Sequence, residues 1–256
     1  TRNQLLKMNI QDIEDPAYSN NAQFRTESIV EQGQMFFETS HISREGKHIA
    51  SELNSKIIEY NNQNAVLTIA RDISERKARE KVLKIKNEIS NAFIENEHEG
   101  FYHHVLESLR NVFGNEYGTF GFINDDGDLE CPSISKEIQQ NCEMKDHSFV
   151  FPREKWNGLW GECLKNQKSV YKNGEFNLPD GHIRIHSALA TPIILNEKLI
   201  GQITLGNKAG GFHEEDKALL DQLCDYIAPL LHAKIKEDQY MRDLVVAKEK
   251  AEESDR

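Results

Sequence analysis

The sequence predicts an α+β protein made of two small folded units joined by a helix. Three observations carry that reading. Residues 35–72 hold three strand-like runs separated by tight turns, the pattern of an antiparallel meander. Residues 98–232 open and close with helical periods and alternate strands and short helices between them, which makes an antiparallel sheet covered by helices. Between these lies residues 71–93, RDISERKAREKVLKIKNEISNAF, where Ala78, Val82, Ile85, Ile89 and Ala92 recur at steps of four, three, four and three.

That spacing is a helical seam. Arg76, Lys77, Arg79, Glu80, Lys81, Lys84, Lys86 and Glu88 occupy the other faces. The stretch is too short and too charged for a membrane span. It predicts a rigid connector whose seam pairs with another helix. The competing reading is an amphipathic helix packed on its own domain, because about two heptads is short for a coiled coil.

The chain has 256 residues and a formal charge of −11, with 38% hydrophobic and 29% charged residues. Its pI is about 5.4, which argues against a nucleic-acid groove as the main surface. Cys131, Cys142, Cys163 and Cys224 are far apart and form no CxxC pair, so neither a zinc site nor a disulfide framework is expected. No run of 18 apolar residues and no signal peptide occur. A cytoplasmic location is expected, with any membrane anchor of the parent chain outside this stretch. The chain opens inside a polar stretch without Met and ends on AKEKAEESDR, which reads as a piece of something longer.

In the first unit, residues 20–32 are helix formers stopped by Gly33. Strands are expected at 35–44, 47–60 and 63–72, with turns at Glu45-Gly46 and Asn61-Asn62. Three strands alone seldom make a stable unit. The stretch FETSHISREGKHIASELNSKIIEYNNQNAVLTIARDISERK, ending in Asp72-Ile73-Ser74-Glu75-Arg76, resembles the C-terminal half of a PAS domain with its closing motif. Asp72 or Ser74 can cap the connector helix. The resemblance implies a helix facing the sheet and two further strands before Thr1. It sets a truncated PAS part at 1–72 and a helical linker at 73–97.

In the second unit, Phe101, Val105, Leu109 and Val112 lie at helical spacing in residues 100–113, ahead of Gly114. Strands are expected at 117–124 and 129–133 around the acidic turn Asp125-Asp126-Gly127-Asp128, which lacks an EF-hand ligand ladder. A short helix at 134–144, a strand at 147–151, a helix at 156–166 and a strand at 169–171 follow. A hairpin of 187–195 and 198–207 and a helix at 212–232 close the unit. The stretch SALATPIILNEKLIGQITLGNKAGGFHEEDKALLDQLCDYIAPLL resembles the C-terminal part of a GAF domain, and the resemblance covers residues 98–232. Such domains act as ligand pockets or dimerisation units in signalling proteins. Members that bind cyclic nucleotides carry an N-K-F-D-E constellation. Here Asn207, Lys208, Phe212 and Asp216 match, and Lys217 replaces the final acid.

The resemblance sets the pocket at 149–187, which contains Trp156, Trp160, Cys163, His182, Arg184 and His186. One reading is a haem with Cys or His as axial ligand, another an unidentified small molecule. The plainer reading makes the tryptophans cover residues of one helix and Cys163 a small buried hydrophobe. His182 and His186 would share one face of a strand-like segment.

Residues 233–256 continue the last helix, with Met241, Leu244, Lys248 and Ala251 as a thin heptad stripe. The ending resembles the lead-in to the dimerisation helix of a sensor histidine kinase. The expected function is therefore sensory: PAS and GAF parts detect a cue and pass it through paired helices of a homodimer to a kinase domain and its response regulator. No catalysis is expected within this stretch. The alternatives are the sensor region of a diguanylate cyclase, or a GAF-fold methionine sulfoxide reductase working through Cys131, Cys142 and Cys163.

Overall fold

A computed structural model of the chain describes residues 2–19, 22–95, 100–141, 149–179 and 181–254. It divides into two compact units, Thr1–Leu83 and Lys84–Arg256.

The first unit begins with α1 (Arg2–Leu5), α2 (Pro16–Ser19) and α3 (Ala22–Gln32), followed by β1 (Gln34–Ile42), β2 (His48–Tyr60) and β3 (Gln63–Asp72). The strands pair antiparallel in the order β1-β2-β3. Asn61 and Asn62 both take positive φ, 51° and 59°, which gives the mirror-image turn that matches strand twist. Directly paired residues share a face, so Phe37, Leu53 and Ala70 form one row and Phe36, Asn54 and Ile69 a row on the opposite face. Helix α3 packs on β1 and β2 and buries Arg25, Ser28 and Ile29. Arg25 reaches Glu14 at 2.6 Å, and Thr39 donates to the same carboxylate at 2.5 Å. The outer edge of β1 is partly closed by Asp15 N–H on Ser40 O and Ile42 N–H on Ile13 O, both 2.8 Å. Among the described residues no strand pairs with the outer edge of β3. The expected start of the first helix at Asn20 lies outside the described residues.

Helix α4 (Ser74–Glu95) follows β3 at once. Asp72 Oδ1 accepts the Ser74 N–H at 2.8 Å, which holds its carboxyl below the usual range. Arg76 and Lys77 pair with Glu38 at 2.8 and 2.6 Å.

The second unit contains the last turns of α4, α5 (Gly100–Phe113), β4 (Asn115–Ile123), β5 (Leu129–Ile134), α6 (Lys136–Asn141), β6 (Val150–Phe151), α7 (Gly158–Asn166), β7 (Val170–Asn173), β8 (Ser187–Leu195), β9 (Lys198–Lys208) and α8 (Glu214–Ser254). Its sheet is antiparallel throughout, in the order β6-β5-β4-β9-β8-β7. Asn196 and Glu197, with φ 49° and 62°, turn β8 into β9 as expected. The core joins α4, α5 and α8 to the sheet through Phe101, Leu106, Phe120, Ile203, Leu223 and Ile227. A second apolar cluster, built on Leu129, Ile134, Trp156 and Leu164, holds β5 and α7.

Three expectations change here. Ile85, Ile89 and Ala92 are buried in the core of their own unit, whereas Ala78 is exposed. Three-four spacing fits a pairing seam and an amphipathic face equally, and burial assigns this half of the helix to the second. Trp156 precedes α7 instead of riding on it, because Asn157 is extended and the helix starts only at Gly158. His182 and His186 lie in irregular backbone, since β8 begins at Ser187. The expected helix at 134–144 is found as α6, with Met144 outside the described residues. His147, the expected start of the next strand, is outside them too.

Helix α8 is continuous for 41 residues, about 60 Å, and contains Pro229. Its first half buries Leu220, Leu223, Ile227 and Leu231. From Tyr240 onward every residue whose side chain is described is exposed. Among the described residues no helix is long and apolar enough to cross a membrane.

Candidate functional site

The α7 side of the sheet positions half of the expected site residues. Gln202, on central strand β9, donates from Nε2 to Trp160 O at 2.8 Å and so fastens α7 to the sheet. Gly161 permits the approach: a Cβ there would lie 2.5 Å from the carbonyl carbon of Trp156. Trp156 is buried, donates from its indole N–H to Phe151 O at 3.0 Å, and has the Arg153 guanidinium 5.8 Å from its ring. Trp160 packs its ring 5.2 Å from that of Phe151. Cys163 is fully buried, and burial pushes its thiol up to about 12.

The other three residues belong to the loop before β8. His182 is half-buried, and its Nδ1 lies 2.8 Å from Ile183 O, to which it donates. Arg184 and His186 are exposed. Their backbone is fixed from a distance: Asn207 donates to Arg184 O at 3.0 Å and accepts from His186 N–H at 2.9 Å. Asn207 itself is buried with φ 58°, a left-handed conformation that Asn tolerates.

The six expected residues therefore form two groups. Among the described residues no hydrogen bond or ring contact joins the α7 group to the loop group. Trp156 and Trp160 pack into the apolar cluster with Leu129, Ile134 and Leu164, and Cys163 is fully buried, so in this arrangement all three serve as packing. Among the described residues no group of three His, Cys, Asp or Glu could hold a metal ion.

Beside this cluster the sheet carries a row of residues that the sequence did not single out. Thr119, Thr204 and Ala190 form one row across β4, β9 and β8, on the same face as Gln202. Both threonines are only partly buried although they lie on central strands, and Thr204 Oγ1 is buried without a hydrogen-bond partner. A polar residue at an alternate strand position reads in sequence as a solvated face, so nothing there marked the row. Two clefts lie elsewhere. One of about 380 Å³ is lined by Glu162, Asn166 and Ser169, and one of about 190 Å³ sits between the β4–β5 turn and α8.

The residues matching the cyclic-nucleotide constellation are used internally. Lys208 pairs with Asp216 at 2.5 Å, Asp216 accepts the His213 N–H at 2.9 Å ahead of α8, and Phe212 is fully buried. Cys131 and Cys224 are buried free thiols like Cys163; burial pushes Cys131 up to about 12 and Cys224 well above its ordinary 9.0. Cys142 lies outside the described residues.

A six-stranded antiparallel sheet with helices on both faces, closed by a long C-terminal helix, defines the second unit, and residues 95–232 match the GAF domain family. The chain belongs to that family. It is similar to the methyl sulfide methyltransferase-associated sensor of Methanosarcina acetivorans, 22% identical over 252 residues, which are 93% of this chain and 25% of that protein. The chain thus spans about a quarter of the length of that curated relative. Among solved structures it is similar to the GAF domain of a phosphoenolpyruvate-protein phosphotransferase from Coxiella burnetii, with 20% identity, TM-score 0.49, and 61% of this chain and 96% of that one covered. A free methionine-R-sulfoxide reductase from Neisseria meningitidis aligns at 15% identity and TM-score 0.47, covering 62% and 90%.

Proposed function

We propose that this chain is the sensing and relay region of a larger signalling protein. A PAS-like part at 1–72 and a linker at 73–97 lead to the GAF domain at 98–232, and residues 233–256 carry its state to a histidine kinase and response regulator. The observation that carries this reading is α8. One helix begins on the GAF core at Leu220 and continues well past the last fully buried residue, Leu231. Its far half presents Met241, Leu244 and Val245, each more than half exposed, along a stripe suited to a second copy of the same helix. A relative named as a sensor supports the same class. The PAS part rests on the three-stranded meander and its Asp72 cap.

The cue would be a small molecule on the floor formed by Thr119 and Thr204, under the loop of His182, Arg184 and His186. Its effect on output is limited to its differential affinity for the two helix arrangements. A diguanylate cyclase output fits the same helix. The sulfoxide reductase reading is weaker, since the described cysteines are buried and held protonated. The test is a one-residue insertion between Met241 and Val245 in the full-length parent, which turns the downstream helix by about 100°. Histidine phosphorylation should change several-fold. Phosphorylation indifferent to the insertion rejects the relay.

A further inference from the structure

The acidic β4–β5 turn contributes to neither the floor nor the core. Its own closure uses Asn124, whose Oδ1 accepts the N–H groups of Asp126 and Asp128 at 3.1 and 3.0 Å, and Asp128 accepts the Arg153 N–H at 2.9 Å. Asp125 is turned outward to α8. Its Oδ1 accepts from Gln239 Nε2 at 2.7 Å, across 114 residues of chain. Arg242 lines the same cleft as Asp126 and Glu130.

Burial along α8 follows this contact. Beyond Leu231, partial burial continues at His232, Lys234, Ile235, Asp238 and Gln239, of which Ile235, Asp238 and Gln239 share one helix face, and it stops at Tyr240. The turn therefore touches α8 about 12 Å beyond Leu231. Strand β4 also carries Thr119, so one strand runs from the candidate floor to the turn.

We propose that the β4–β5 turn is a brace on the outgoing helix: the Asp125–Gln239 bond fixes the point at which α8 leaves the domain, with Arg242 lining the same cleft. A displacement of β4 at the floor then changes how much of α8 is held. This rests on the reading of α8 as the output element, but the brace is measurable without any output.

Amide hydrogen exchange in the 256-residue chain tests it. Asp125→Ala and Gln239→Ala should each speed exchange at residues 236–243 about two- to fivefold, as expected for one solvated hydrogen bond, and the double variant should add nothing more. Gln239→Glu, opposing Asp125 with like charge, should speed exchange further, and Gln239→Lys should slow it. Exchange at 220–231 should stay at the wild-type rate throughout, which separates loss of the brace from unfolding. Unchanged exchange at 236–243 in the alanine variants, or additive effects in the double variant, overturns the brace. The relay fails separately, on phosphorylation in the parent protein.

Discussion

Three buried thiols set a pH signature for the fold. Burial raises Cys131 and Cys163 from 9.0 to about 12 and Cys224 in the same direction. The folded state therefore binds these protons more tightly than the unfolded chain. Their contribution is complete below about pH 9 and is lost as pH rises through the window toward 12. Denaturation midpoints should fall across pH 9–11, and the fall should be shallower in a Cys131→Ala, Cys163→Ala variant. At pH 7.5 the folded chain should react with an alkylating reagent at these positions only after denaturant is added. Asn207 gives a second prediction. Asn207→Ala removes the bonds to Arg184 and His186 and places alanine at φ 58°, so it should cost about 2–4 kcal/mol in urea unfolding. It should also loosen the loop of His182 and His186, visible as faster exchange at His186 N–H. Nothing in the sequence around His186 announces that its partner is 21 residues away.

Elements were more legible than their partners. Period and turn chemistry located the strands of both sheets, because alternation and the Asn61-Asn62 and Asn196-Glu197 pairs are local properties. The face of a helix is also local, but what covers it is not. Residues 78–92 show one spacing throughout, yet Ile89 is fully buried and Ala78 is solvated. Ile89→Ala should accordingly cost about 2–5 kcal/mol, whereas Ala78→Ser should stay within about 0.5 kcal/mol. Similar losses at both positions would mean that the seam, and not the core, sets the stability of α4. The candidate site was legible only as a region. Trp156, Trp160 and Cys163 do gather around α7, but as filling and not as a frame, and that depends on Gly161 letting the helix close down on Trp156.

At the scale of the whole molecule, the far half of α8 is the element that the proposed relay pairs with a second copy, and its described side chains from Tyr240 onward are exposed. A charged helix with a thin apolar stripe is marginal alone. Leu244→Glu should shift sedimentation toward the monomer while leaving the GAF core's unfolding midpoint unchanged, since the described side chains from Tyr240 onward are all exposed. A dimer of undiminished affinity would move the self-association elsewhere.

Strand β3 has a practical consequence. Between Gln63 and Ala70 it has no charge, proline or bulge to discourage a newcomer, and Leu67 and Ile69 stand out from it into water. Preparations of this stretch by itself should grow turbid with concentration and bind amyloid dyes. Leu67→Lys should keep them clear.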